Sequence, residues 1–169
     1  MQSRPSHASP GSAALSLAVP GIDVDAVVAQ AHLLQRIPAA GADTPLRGKN
    51  LGLLCTDDDS EASRLFQRAA GELGARVAQV RPSFSTRSSA QEIRHTATVL
   101  GRLYDAIECL DVEAPTVLEL RLHAGVPVFD GLARQDGPLA QLVHLLAPGS
   151  RLEDRRRWLV QSILLATVR

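Results

Sequence analysis

LRGKNLGLLCTDDDSEASRLFQRAAGELGARVAQV, residues 46–80, is the stretch that decides how this chain folds. Leu51 to Cys55 is a short, wholly apolar run, the pattern of a strand covered on both faces. Leu65, Phe66, Ala69, Ala70 and Leu73 then recur at helical spacing, predicting a helix from Ser60 to Leu73 that Gly74 stops. Arg76 to Val80 reads as a second strand. Strand, helix and strand joined by short turns imply a right-handed crossover and parallel pairing.

The same alternation continues outward. Ala90 to Tyr104 carries Ile93, Ala97, Leu100 and Leu103 on one helical face, Ala106 to Leu110 is a third strand, and Thr116 to Ala124 a further helix. Val126 to Phe129 is a fourth strand, Leu139 to Leu146 a helix after Pro138, and Leu152 to Val168 a last, strongly apolar helix. On the amino-terminal side, Ile22, Val24, Val27, Val28, Ala31, Leu33 and Leu34 predict a helix that Pro38 and Gly41 end. The expected class is α/β: a three-layer parallel sheet of about four strands with helices on both faces. Residues 1–20, rich in Ser, Pro and Ala, are expected to be a flexible tail, and 21–169 a single domain.

Composition narrows the function classes. The 169 residues are 45% hydrophobic and 21% charged, enough apolar material for a proper core. Eighteen basic residues balance eighteen acidic ones, so no field favours nucleic acid or an anionic membrane. No apolar run approaches the roughly 20 residues of a membrane span, and a cytoplasmic location is expected. Cys55 and Cys109 are too few for a disulfide framework and lack zinc spacing; they read as small core residues at strand ends. His32, His95, His123 and His144 fall on predicted helices without paired spacing. P-loops, nucleophile elbows and dinucleotide fingerprints do not occur.

In such a sheet, ligands bind beyond the carboxyl ends of the strands, here at 55–63, 81–89, 109–113 and 130–138. The first of these segments sits in a familiar frame. LRGKNLGLLC (46–55), SRLFQRAAGELGARV (63–77), EIRHTATVLGRLYDAIE (92–108) and AGVPVFDGLA (124–133) resemble the carbamoyl-phosphate domain of aspartate and ornithine carbamoyltransferases, the ornithine branch more closely. RLEDRRRWLVQSILLATV resembles that family's closing helix, which implies a C-terminal helix packing back on the domain.

The resemblance implies a phosphate site at the first strand-to-helix turn, where the family carries Ser-Thr-Arg-Thr-Arg. The matching residues are Asp59, Ser60, Glu61, Ala62 and Ser63, so both arginines are replaced and only Ser60 keeps a hydroxyl. With Asp57 and Asp58 the turn gathers up to four carboxylates. Carboxylates suit a helix start, each by about 0.3 to 1 kcal/mol. They repel a phosphate: one like-charge pair at 4 Å costs about 4 kcal/mol at an effective dielectric near 20. The family's arginine after the third strand becomes Leu110, and its His-Pro-x-Gln motif becomes Gly137, Pro138, Leu139 and Ala140. Gln141 is one position late, about 100° around a helix. Residual anion contacts are left to Ser60, Thr86 and Arg87. Only Ala147 to Ser150 separates the helix after the fourth strand from the closing helix, leaving no room there for the family's second domain.

These departures lead to the expectation of a degenerate family domain without transferase activity of its own. It would act as an oligomerising or regulatory subunit, as a homotrimer or with a full-length carbamoyltransferase, and no cofactor is expected. The alternative is a transferase or small-ligand protein whose altered site a partner chain completes. Asp57 to Asp59 with Asp130 and Asp136 offer oxygens to Mg²⁺, but acidic runs at helix starts serve as caps, and no metal is expected. Arg155 to Arg157 read as the polar start of the last helix and a slight hint of an interaction surface.

Overall fold

A computed structural model describes residues 10–37, 44–82 and 88–168. The elements are α1 (Pro10–Ala18), α2 (Val24–Arg36), β1 (Asn50–Leu54), α3 (Glu61–Glu72), β2 (Arg76–Val80), α4 (Ala90–Leu103), β3 (Ala106–Cys109), α5 (Ala114–His123), β4 (Val128–Asp130) and α6 (Leu152–Thr167). All strand pairs are parallel and the order is β2-β1-β3-β4. The chain steps from β1 outward to β2 and then returns past β1 to β3. Right-handed crossovers therefore put α3 on one face and α4 with α5 on the other.

The two faces hold separate cores. Strand alternation sends Leu51, Leu53 and Ala106 to one side, under Phe66 and Ala69 of α3, Ala31 of α2, and Leu159 and Ile163 of α6. Leu54, Ile107 and Cys109 point the other way, against Ala97 and Leu100 of α4 and Val117 and Leu120 of α5. The α/β class and the four parallel strands are as the periodicity implies, and the returning terminal helix is as the family resemblance implies.

Three expectations change. Residues 10–18 form a helix instead of a loose tail, because Leu15 is fully buried in the main core and Arg121 Nη2 donates to the Ala18 carbonyl at 3.0 Å. The segment from Leu139 to Leu146 is not an α-helix. Backbone bonds three residues apart run from Ala140 to Gly137 and from Leu142 to Leu139, followed by one 3-10 turn at Leu142–Leu145. Gly137 explains the departure: its Cα lies so close to the Gly131 carbonyl that a Cβ would sit 2.1 Å from that oxygen. Arg155, Arg156 and Arg157 are not a solvated helix start. Arg156 and Arg157 are buried, and Arg155 Nη1 donates to the Val143 carbonyl at 3.2 Å.

Burial of Arg157 works because its charge is met. It donates to Glu72 at 2.7 Å and Asp154 at 3.0 Å, while Gln161 donates to the other Glu72 oxygen at 2.9 Å. This cluster clamps α6 on α3, and removing one partner would strand a buried charge.

On the opposite face, α4 and α5 approach closely at Gly101, where a Cβ would fall 1.7 Å from the Ala124 carbonyl oxygen. No rotamer relieves a backbone clash. Gly101→Ala is expected to lower unfolding free energy by about 3 kcal/mol in urea denaturation, through separation of the two helices.

Candidate functional site

Connections leave β1 and β3 in opposite directions, so their carboxyl ends flank the crevice in which open α/β sheets bind ligands. Asp111, two residues beyond β3, lies across it. One carboxylate oxygen accepts from the Thr56 N–H at 2.6 Å and from the Thr56 hydroxyl at 2.8 Å. The Thr56 N–H, followed by its hydroxyl and the Asp57 N–H, holds the Asp111 carboxyl below its ordinary value against some desolvation.

The rest of the first turn is also capped from within. Asp57 Oδ1 accepts from the Asp59 N–H at 3.0 Å, and Ser60 Oγ from the Ser63 N–H at 3.1 Å. Glu61 opens α3 and takes the Arg156 guanidinium. Ala62 packs at the core edge, whereas Ser63 is fully buried, with Oγ accepting from Gln67 at 3.0 Å. Thus Asp59 to Ser63 form one capped helix start, and backbone N–H groups that an anion would use already face oxygens of this chain.

The other named positions sit apart from this turn. Leu110 is buried in the main core. Gly137, Pro138, Leu139 and Ala140 occupy the turns after β4, with Leu139 in the core. Thr86 and Arg87 lie outside the described residues. Asp130 and Asp136 flank Arg134, at 3.8 and 3.6 Å. Among the described residues no three acidic, His or Cys side chains converge as a metal site would require. Cys55 and Cys109 are free and buried on opposite faces of the sheet, so they cannot meet across it. Burial raises both thiols above their ordinary value. Two hollows, of about 360 and 440 Å³, open at the other end of the sheet, beside Val126 to Phe129 and beside Asn50 and Tyr104.

Three residues that the motif comparison passes over organise these loops: Asp111, Arg156 and Glu108. Arg156 bridges Glu61 to the Ala133 carbonyl, which it reaches at 2.6 Å. The Ala133 N–H in turn donates to Glu108 Oε1 at 3.3 Å. One chain of contacts therefore links the first turn, α6, the turn after β4 and the centre of β3. Glu108 is fully buried, and its second oxygen has no partner among the described residues. Desolvation is the main cause that pushes its carboxyl up to about 8, with Asp130 adding to it; the Ala133 and Leu132 N–H groups and Arg134 oppose. Both signals are present in the sequence. Glu108 is a charge within an apolar strand, and Arg156 stands at helical spacing from Leu159, Val160 and Ile163.

A wholly parallel, doubly wound sheet with its polar residues gathered at one reversal of strand order defines a ligand-crevice α/β domain. No family model matches the chain. Curated relatives do: the chain is 37% identical over 114 residues to an ornithine carbamoyltransferase of Actinobacillus pleuropneumoniae, covering 67% of this chain and 34% of the relative. The solved ornithine carbamoyltransferase of Pyrococcus furiosus superposes with a TM-score of 0.55 at 25% identity, over 63% of this chain and 34% of that one. That of Burkholderia thailandensis shares the fold, with a TM-score of 0.60 at 18% identity over 71% and 42%. The chain belongs to the aspartate and ornithine carbamoyltransferase family, on the ornithine side. It spans about a third of the length of the curated relatives it matches.

The raised Glu108 value has a definite sign. Between its ordinary 4.5 and about 8 the folded chain holds a proton that the unfolded chain has lost. Stability from this group is full below that window, falls through it and levels off above it. Urea denaturation is expected to show a loss on the order of 1 kcal/mol per pH unit between pH 5 and pH 8 that Glu108→Gln removes.

Proposed function

We propose that this chain is a carbamoyltransferase-family domain that does not transfer carbamoyl groups by itself and serves as an oligomerising or accessory subunit. Its partner is either two further copies, as a homotrimer, or a full-length carbamoyltransferase. The observation that carries the reading is the state of the first turn: the backbone donors at Thr56, Asp59 and Ser63 are taken by Asp111, Asp57 and Ser60. A phosphate there would have to displace these oxygens and then sit beside Asp57, Asp59 and Glu61. At about 4 kcal/mol for each close like-charge pair, the helix dipole offsets only a fraction of that cost.

Association has its own support. Among the described residues β2 pairs only with β1, leaving its other edge without a strand partner there, and its residues are mostly exposed. On α4, Val99 is 41% and Leu103 59% exposed, apolar side chains left on the surface of the domain.

Calorimetric titration with carbamoyl phosphate tests the first half of the proposal. No saturable heat is expected up to millimolar ligand, and binding at micromolar concentration would overturn it. Light scattering after size exclusion tests the second half. A mass near three times the 18.0 kDa of the chain, or co-elution with an intact ornithine carbamoyltransferase, is expected. A strict monomer in both settings would contradict it.

A further inference from the structure

Charge is sorted between the two ends of β1. Thr56 to Asp59 follow its carboxyl end, and Asp57, Asp58 and Asp59 are all exposed. None of the three forms an ion pair among the described residues, since Arg156 is committed to Glu61 and Arg134 lies between Asp130 and Asp136. At the amino end stand Arg47, Lys49, Arg76 and Arg102. The Arg76 N–H donates to the Lys49 carbonyl at 2.9 Å, and the Asp105 N–H, just beyond Arg102, to the Asn50 carbonyl at 2.7 Å. Lys49 pairs with Asp105, whereas Arg47, Arg76 and Arg102 are exposed and form no ion pair among the described residues. A formal net charge of zero therefore hides two ends of opposite sign. The five residues of β1 hold them about 17 Å apart, well over the Debye length of about 8 Å at physiological ionic strength. Within one chain the two ends do not neutralise each other.

The acidic turn is held in place before any contact is made. The Thr56 N–H and hydroxyl donate to Asp111, and the Asp59 N–H donates to Asp57 at 3.0 Å. Little conformational freedom remains for it to lose. At the other end, the hollow of about 440 Å³ is lined by Asn50, Arg102 and Asp105. Lys49 precedes Asn50, and Arg76 faces Asn50 in the strand register. Asp105 is the one carboxylate in the wall among the described residues, and Lys49 and the Asn50 N–H already take it, at 3.3 and 2.8 Å. The carboxyl end of α4 disfavours an anion there, and Arg102 in its last turn offsets that end.

We propose that the acidic turn Thr56 to Asp59 of one copy seats in the basic-rimmed hollow around Asn50 of a second copy. The proposal rests on the oligomerising reading above and names its two surfaces. A second copy is the occupant that the charges select, because three unpaired carboxylates at one end match three unpaired arginines at the other. Two different patches make the contact heterologous, the kind from which a ring of three is built. A two-fold contact made end to end would bring like charges together.

Light scattering after size exclusion, run on the whole chain over a concentration series, tests the contact. Self-association is expected at about 0.1 M salt and should weaken at least about tenfold at about 1 M, as the Debye length falls from about 10 to about 3 Å. Asp58→Lys with Asp59→Lys reverses one end, and Arg76→Glu with Arg102→Glu reverses the other. Each double variant should be monomeric where the unaltered chain associates. Mixed in equal amounts, the two are complementary at both contacts, and joint elution at the mass of the unaltered assembly is expected. That recovery also reports that both variants are folded. Variants that stay apart when mixed would overturn the proposal. Association that ignores salt and both reversals would overturn it and leave the oligomerising reading standing. A chain that is monomeric alone and elutes only with an intact ornithine carbamoyltransferase would overturn it and leave the accessory reading.

Discussion

The bond from Thr56 to Asp111 is the contact on which the character of this domain depends. It crosses the one place in the sheet where strand order reverses, and it closes that place with a carboxylate belonging to the chain. In an open α/β domain the reversal leaves backbone N–H groups free at two neighbouring strand ends, and those groups are what a ligand's anionic part would use. Here the Thr56 N–H and hydroxyl both point at one Asp111 oxygen, at 2.6 and 2.8 Å. The negative charge that a phosphate would bring is already present, supplied by a side chain with no translational entropy to lose.

The remaining loops are organised around that closed crevice. Glu61, Arg156, Ala133 and Glu108 form a continuous run of contacts from the start of α3 to the middle of β3. Arg156 and Arg157 draw α6 down on α3, so the terminal helix is held by buried, ion-paired guanidinium groups as well as by Leu159, Val160 and Ile163. Such charges add little net stability compared with apolar side chains, but they fix register, since a shifted helix would leave a guanidinium unpaired.

Much of the architecture was legible in the sequence, because burial on two faces imposes patterns that few residues can satisfy. The apolar run Leu51 to Cys55 and the helical spacing of Leu65, Phe66, Ala69, Ala70 and Leu73 required a covered parallel strand and an amphipathic helix. Periodicity misled where long-range contacts decide. Leu15 is buried only because α1 docks on the main core, and nothing local in a Ser- and Pro-rich segment announces that. Leu139 to Leu146 has helical composition, yet the close approach of Gly137 to Gly131 imposes a series of tight turns.

The crevice was less legible than the fold. The positions that the family resemblance assigns to the phosphate turn, Asp59 to Ser63, could be named and their charges compared. The oxygens that satisfy them could not, because Asp111 is 55 residues from Thr56 and only strand pairing brings the two together. A titration of the Asp111 carboxyl carbon, followed together with the Thr56 amide signal, measures that contact directly. A midpoint below the ordinary carboxylate value of 3.8, with the Thr56 amide moving in step, is the result predicted. A midpoint at or above that value, with the amide unmoved, would mean that the crevice is open and its donors are free for a ligand.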